Sequence, residues 1–201
     1  MEPISGGSGI FSVLCAVSLG TLLAAACWTD ARTRRISNKL VLAGALIGLA
    51  LNTLLSQGSG LFSALPGGLG FLTSLAGFAV GLGALLPLYL LRTMGAGDVK
   101  LMAMIGAFLG PMPILGAVLM TLLAGGILAI TVALWKGVLL STLINVRAMM
   151  INTMINTLSG QGAQIESAFA TAPATLPYAL AISAGTVAQI LLAYNGHAIF
   201  S

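Results

Sequence analysis

Long apolar runs separated by short polar stretches dominate this chain. Several of the runs are long enough for a helix that crosses a bilayer, and few charges interrupt them. With 58% hydrophobic and 6% charged residues, the chain lacks the polar surface that a soluble domain needs. The pattern predicts an all-α integral membrane protein, a six-transmembrane-helix bundle. The predicted spans cover about 9–29, 39–55, 69–91, 99–110, 114–135 and 175–194.

The fourth apolar run, 99–110, is the shortest, and it ends at Gly110-Pro111-Met112-Pro113. Twelve helical residues reach about 18 Å, less than the ~30 Å hydrocarbon core of a bilayer. If the run stops at Pro111, Asp98 lies below the cytoplasmic surface. Otherwise the helix continues with a kink through both prolines. The sequence leaves both alternatives open.

Residues 137–159 are apolar but differ in pattern from the six runs. Polar side chains recur along one helical face, and large apolar side chains occupy another. This pattern is typical of an amphipathic helix in the membrane interface. A seventh span would bring Arg147 near the middle of the bilayer, so we favour an interfacial helix between spans five and six. Residues 1–201 are then expected to form a single membrane-embedded domain.

The cationic side chains indicate which side of the membrane each loop occupies. With six spans, all eight lysines and arginines lie on one side, which the positive-inside rule identifies as cytoplasmic. The net charge of +4 does not indicate nucleic-acid binding, because the cations lie in short loops rather than on one patterned face. We expect a multi-pass protein of the cytoplasmic (inner) membrane, with anionic lipid head groups as contacts of the arginines.

Asp30 and Asp98 are the only aspartates, and each lies at the predicted cytoplasmic end of an apolar run. Acids at such positions are costly and commonly functional. Asp98 belongs to Gly95-Ala96-Gly97-Asp98-Val99-Lys100, where two glycines permit a sharp turn and a close approach of backbone. The simpler interpretation is that Asp98 only caps a helix and Asp30 only pairs with a nearby arginine.

Taken together, these segments resemble the prepilin peptidases, membrane aspartic proteases of the G-x-G-D type. The resemblance rests on Asp30 with the arginine-rich Ile36-Ser37-Asn38 segment after it and on the run from Gly95 to Leu101. A third matching segment is Pro177-Tyr178-Ala179-Leu180-Ala181-Ile182. Ser37 stands where the family usually has proline, a departure that concerns loop shape rather than chemistry.

The resemblance implies an aspartic endopeptidase that cleaves the leader of type IV or Flp prepilin-like precursors at the cytoplasmic face of the membrane. The substrate would present a basic leader followed by a hydrophobic helix. Asp30 and Asp98 would be catalytic. The supporting residues would be Gly95, Gly97, Lys100 and Arg34. Only eight residues stand where larger relatives carry a cysteine-rich insert, so the chain is most similar to the compact Flp/Tad branch, without N-methyltransferase activity.

We expect the two carboxylates to approach each other in a water-accessible cavity at the cytoplasmic mouth. One would act as general base on water while the other, protonated, would polarise the scissile carbonyl. Which aspartate does which stays open, because coupled acids titrate as a pair. No metal or cofactor is expected, since His197 is the single histidine. Two other functions are a small proton- or cation-coupled transporter and a non-catalytic subunit of a pilus or secretion assembly.

Overall fold

The computed structural model describes residues 6–54, 68–91, 94–135, 137, 151 and 178–195, with side chains from residue 13 onward. Within these ranges the chain forms six α-helices, as the sequence predicts. They are α1 (Gly6–Thr33), α2 (Asn38–Leu54), α3 (Phe71–Leu90), α4 (Ala96–Leu109), α5 (Pro111–Trp135) and α6 (Tyr178–Tyr194).

Three of these helices are long and apolar enough to cross a membrane: α1 from Val13 to Thr33, and all of α3 and α5. Helices α2 and α6 are shorter apolar helices of 17 residues each. Large apolar side chains such as Leu42, Leu72 and Leu123 are mostly exposed on the helix surfaces. Surfaces of this kind require lipid rather than water around them, so the chain is an all-α membrane protein.

The chain divides into two compact units. One comprises Met1–Gly125 with Pro177–Ser201 and contains both aspartates; the other comprises Gly126–Leu176. Apart from the end of α5, only Gly137 and Ile151 of the second unit are described. The interfacial helix predicted over 137–159 thus lies outside the described residues, and a single domain over 1–201 stays a prediction.

Helix α4 is the central helix of the first unit. All but three of its 14 residues are buried, and it contacts α1, α2, α3 and α6. A helix that is apolar on all sides is suited to a core position. Its length of about 21 Å is less than the ~30 Å hydrocarbon thickness. At least one end of α4 therefore depends on neighbouring helices for its hydrogen bonds.

Helices α3 and α4 pack backbone against backbone through glycine. A Cβ atom on Gly77 would collide with the main-chain oxygen of Gly106, and a Cβ atom on Gly106 would collide with that of Gly77. One turn along α3, a Cβ atom on Gly81 would lie 2.6 Å from the main-chain oxygen of Met102. Small residues let membrane helices approach this closely. The contact fixes the position of α4 against α3.

Asn52 forms hydrogen bonds with main-chain carbonyl groups at the C-terminal end of α4. It is fully buried, and its Nδ2 donates to the carbonyl oxygens of Ala107 at 2.9 Å and Phe108 at 3.4 Å. Its Oδ1 accepts from the N–H of Leu69 at 3.1 Å, and Ser74 Oγ also donates to Ala107 at 2.6 Å. The last carbonyls of a helix lack partners within it, so these side chains complete the end of α4.

Two helix boundaries differ from the predicted ones. Helix α1 continues past Asp30 to Thr33, because Arg34 adopts a left-handed conformation (φ 52°) and its N–H bonds to the Asp30 carbonyl at 2.8 Å. The following loop contains four residues, 34–37, rather than eight. Helix α4 neither runs into a loop at Pro111 nor continues with a kink. Gly110 (φ 86°) separates α4 from α5, which begins at Pro111, a residue suited to a first helical turn.

Candidate active site

The two aspartates lie at helix ends that face the same region of the first unit. Asp30 is in the last turn of α1, and Asp98 is in the first turn of α4. The side chains are 8% and 9% exposed, so both are buried but neither is sealed. Burial of an acid is costly unless hydrogen bonds or a functional need accompany it. The partners of each carboxylate are therefore informative.

Asp98 is held by the start of its own helix. Gly95 is the N-cap of α4, and its N–H donates to Asp98 Oδ2 at 3.2 Å. Asp98 is thus the third residue of the helix, not the N-cap itself, and its side chain reaches back as the acid of a capping box does. The N-terminal end of a helix also favours negative charge through its dipole. This geometry orients one carboxylate oxygen and favours its ionised form.

Burial raises the pKa of Asp98 to about 6. The hydrogen bond from Gly95 opposes this shift, and the nearby charge of Asp30 adds to it. Asp98 precedes the apolar run 99–110 and lies outside the three helices that are long enough to span a membrane. Two acids that repel each other across a short distance cannot both ionise cheaply. The arrangement therefore lets Asp98 keep its proton up to about pH 6, well above the range of an ordinary aspartate.

Asp30 is held by a different helix. The main-chain N–H of Ala179 donates to its Oδ2 at 3.2 Å, and this bond is buried. Ala179 is the second residue of α6, so its N–H has no partner within that helix. One turn earlier in α1, Cys27 Sγ lies 3.1 Å from Ser183 Oγ and donates to the Ala179 carbonyl at 3.5 Å. Asp30 therefore sits at the N-terminal end of α6.

The segments after Asp30 and around Asp98 contact each other at two further points. A Cβ atom on Gly97 would lie 3.2 Å from the Ile36 Cβ, so the absent side chain of Gly97 makes room for Ile36. Lys100 Nζ donates to Asn38 Oδ1 at 3.1 Å, which joins the N-terminal part of α4 to the start of α2. The loop after α1 therefore packs on the start of α4. These contacts bring together two segments that are far apart in sequence.

The four predicted supporting residues occupy different places around the pair. Gly95 donates to Asp98, and Gly97 accommodates Ile36. Lys100 bonds to Asn38 rather than to either aspartate. Arg34 ends α1 through its main-chain N–H. Among the described residues, no group of three His, Cys, Asp or Glu side chains is arranged to hold a metal ion.

A match to the type IV leader peptidase family covers residues 17–130, more than half of the chain. The chain belongs to this family. It is a prepilin-type leader peptidase and hence a protease. No curated protein and no solved structure matches the chain. The matched region of this leader peptidase includes Asp30 and Asp98 but ends well before α6.

The Ala179 N–H is the site feature that sequence reasoning did not identify. Pro177 and Tyr178 indicate the start of a helix and belong to a segment that resembles the leader peptidases, but the sequence assigns no role to the Ala179 N–H. A main-chain donor has no side chain that could mark it in a sequence. The available signal was the position of Pro177, because proline commonly precedes or opens a helix whose first N–H groups are free.

Proposed function

We propose that this leader peptidase is an aspartic endopeptidase in which Asp30 and Asp98 form the catalytic pair. The observation that carries the proposal is the burial of both carboxylates near each other, with the charge of Asp30 contributing to the raised pKa of Asp98. Peptide hydrolysis by two acids needs one ionised and one protonated group at working pH. Two buried, repelling carboxylates meet this requirement.

The ionised carboxylate takes a proton from water, and the resulting hydroxide attacks the scissile carbonyl carbon. The protonated carboxyl group donates a hydrogen bond to the carbonyl oxygen and supplies a proton to the leaving amine. The bonds from Gly95 and Ala179 each restrain one carboxylate oxygen before the substrate arrives. Such preorganisation lowers the reorganisation that the transition state requires. The small exposed fraction of both acids is compatible with access by water.

The proposed site faces the cytoplasm. Arg32, Arg34 and Arg35 lie at or just after the end of α1, Lys39 lies at the start of α2, and Lys100 lies near the start of α4. These cations cluster at the helix ends that carry the aspartates, and positive loops remain on the cytoplasmic side. Arg32 also stacks on the Trp28 ring at 4.3 Å, an arrangement suited to the interfacial zone of an anionic bilayer.

The proposed substrate is a type IV or Flp prepilin-like precursor, whose apolar helix would lie beside the bundle while its basic leader reaches the aspartates. The loop between α1 and α2 has four residues and no cysteine, so it cannot hold a cysteine-rich insert. We therefore assign the chain to the compact Flp/Tad branch and expect no N-methyltransferase activity. Mass spectrometry of pilin matured by this enzyme alone tests this, and a methylated N-terminus would contradict it.

The experiment for the catalytic pair is co-expression with a candidate prepilin, followed by a gel assay for leader removal. Asp30→Asn and Asp98→Asn should each abolish cleavage, because an amide keeps the shape but neither ionises nor supplies a carboxylic proton. The double variant should be no worse than either single one, since members of a catalytic unit are not additive. Glu166→Gln also replaces a carboxylate by an amide but leaves both aspartates in place, so this control should cleave normally.

Near-normal cleavage by either Asn variant would overturn the aspartic mechanism. A non-catalytic assembly subunit would keep its function in both Asn variants, because it uses neither carboxylate for chemistry. A purified enzyme and a synthetic prepilin separate these outcomes. The transporter alternative predicts no cleavage by the purified wild-type protein.

A further inference from the structure

Helix α6 lies beyond the region that defines the family match, yet it provides a hydrogen bond to Asp30. The donor is the main chain of Ala179, and the bond is buried. The first N–H groups of a helix have no partners within it, so this donor is available without disturbing α6. The dipole of α6 adds partial positive charge at the same point. The contact thus favours a defined orientation of the Asp30 carboxylate.

A second attachment keeps α6 in register with α1. Cys27 is one turn before Asp30, and its Sγ contacts both the carbonyl of Ala179 and the hydroxyl of Ser183. Ala179 therefore contacts α1 through both its N–H and its C=O groups. A shift of α6 along α1 would break all these contacts together. The Asp30 bond depends on this register.

Helix α5 also approaches α6 closely. A Cβ atom on Gly185 would lie 2.5 Å from the Thr121 Cα, so these two helices approach closely there. Nearer the start of α6, a Cβ atom on Gly125 would be in ordinary contact with Tyr178 at 3.7 Å and Ala181 at 3.8 Å. The first turn of α6 is thus fixed between α1 and α5. A donor fixed in this way can hold a carboxylate without a mobile side chain.

We propose that the N-terminal turn of α6 is a positioning element of the active site, in which the Ala179 N–H holds Asp30 Oδ2 and directs Oδ1 toward the reacting water or peptide. The inference rests on the proposed function of Asp30. Gly95 performs the same task for Asp98, whose Oδ2 also accepts a main-chain N–H at 3.2 Å. The active site then requires three helix ends: the end of α1 and the starts of α4 and α6.

Ala179→Pro tests the proposal because proline lacks the N–H and is tolerated in a first helical turn. Loss of a donor to a charged acceptor should lower kcat by about 10–100-fold while KM changes little. Because the bond restrains one member of a coupled pair, the acidic limb of the pH–rate profile should also move to higher pH. The purified full-length enzyme with a synthetic prepilin provides both readouts.

Leu180→Pro is the matched control, since it removes the next N–H of the same turn, and Leu180 is about half exposed. It should keep the wild-type acidic limb. An unchanged limb in Ala179→Pro would overturn the proposal, and so would an equal shift in both variants. If Ala179→Pro does not accumulate in the membrane, Cys27→Ala combined with Ser183→Ala replaces it. This double variant should move the acidic limb of the pH–rate profile in the same direction but by a smaller amount. An unmoved limb would contradict the proposal.

The result separates this proposal from the proposed function. If Asp30→Asn cleaves normally, the catalytic pair is wrong whatever α6 does. If Asp30→Asn is inactive while Ala179→Pro retains the wild-type kcat and pH profile, only the role of α6 is wrong.

Discussion

The two ends of α4 use buried polar groups in opposite ways. At the C-terminal end, Asn52 and Ser74 donate to the last carbonyls, and the glycine contact between α3 and α4 leaves no spare space. At the N-terminal end, burial raises the pKa of Asp98, and the charge of the nearby Asp30 adds to this shift. One end has its polar groups matched to neutral partners, and the other holds two acids close together.

The difference indicates which end serves stability and which serves chemistry. A buried amide whose hydrogen bonds are formed helps to fix the fold, whereas two neighbouring buried acids oppose it. An arrangement that opposes stability persists where function needs it. Since both ends belong to one 14-residue helix, variants at each end can be compared within the same packing environment.

The largest effect on stability is expected at the glycine contact. Gly77→Ala forces a Cβ atom into the Gly106 carbonyl, so α3 and α4 must separate, and the free energy of unfolding should fall by about 1–3 kcal/mol. Gly83→Ala on the same helix is the control, because a Cβ atom there meets nothing within 4 Å. Thermal unfolding in detergent measures both. Equal melting temperatures for the two variants would contradict the close approach.

The next largest loss of stability is expected when the hydrogen bonds of Asn52 are removed. Asn52→Ala leaves the Leu69 N–H and the Phe108 carbonyl without this partner, which should cost about 1–2 kcal/mol of unfolding free energy. Ser74→Ala should cost less, because Ala107 keeps its bond to Asn52. The double variant should lose more than the sum of the two single changes, since Ala107 then lacks both donors. Additive losses would show that the two side chains act independently.

At the N-terminal end of α4, a substitution should raise the stability of the fold rather than lower it. Because the pKa of Asp98 is about 6 in the folded chain against an ordinary 3.8, the folded state binds this proton more tightly than the unfolded state. Stability should therefore fall as pH rises from about 4 to about 6. Asp98→Asn removes this loss, so the variant should unfold at a higher temperature than the wild type at pH 7.5. The gap should close below pH 4, and a less stable variant at pH 7.5 would contradict the account.

The smallest effect on activity and stability is expected where Ile36, in the loop after α1, packs on Gly97 at the start of α4. Gly97→Ala brings a Cβ atom to 3.2 Å from Ile36, a contact that small shifts can relieve. We expect a few-fold loss of kcat and less than about 1 kcal/mol of unfolding free energy. Ile36→Ala in the same chain removes two of the three atoms at this contact, Cγ1 at 3.5 Å and Cδ1 at 3.6 Å, and should restore part of the activity. No restoration would mean that Gly97 acts through another contact.

The sequence predicted the helices better than the contacts between them. Apolar runs identified all six described helices, because a span needs an unbroken apolar stretch. The end of α1 was misjudged, since a left-handed Arg34 carries no sequence signal as a glycine would. Asn52 was overlooked because a buried amide in an apolar run resembles any polar interruption. The bond from Ala179 to Asp30 joins residues that are 149 positions apart, and no local pattern reports such a contact.

The most direct test of the comparison measures cleavage and thermal unfolding together for Asp98→Asn and Asn52→Ala, in the purified enzyme at pH 7.5. Asp98→Asn should lose cleavage by a factor on the order of a thousand or more while its melting temperature stays at or above that of the wild type. Asn52→Ala should melt at a lower temperature, yet cleave within a few-fold of the wild-type rate at temperatures where it is folded. Near-normal cleavage by Asp98→Asn would contradict the account, as would a loss of cleavage in folded Asn52→Ala equal to that in Asp98→Asn.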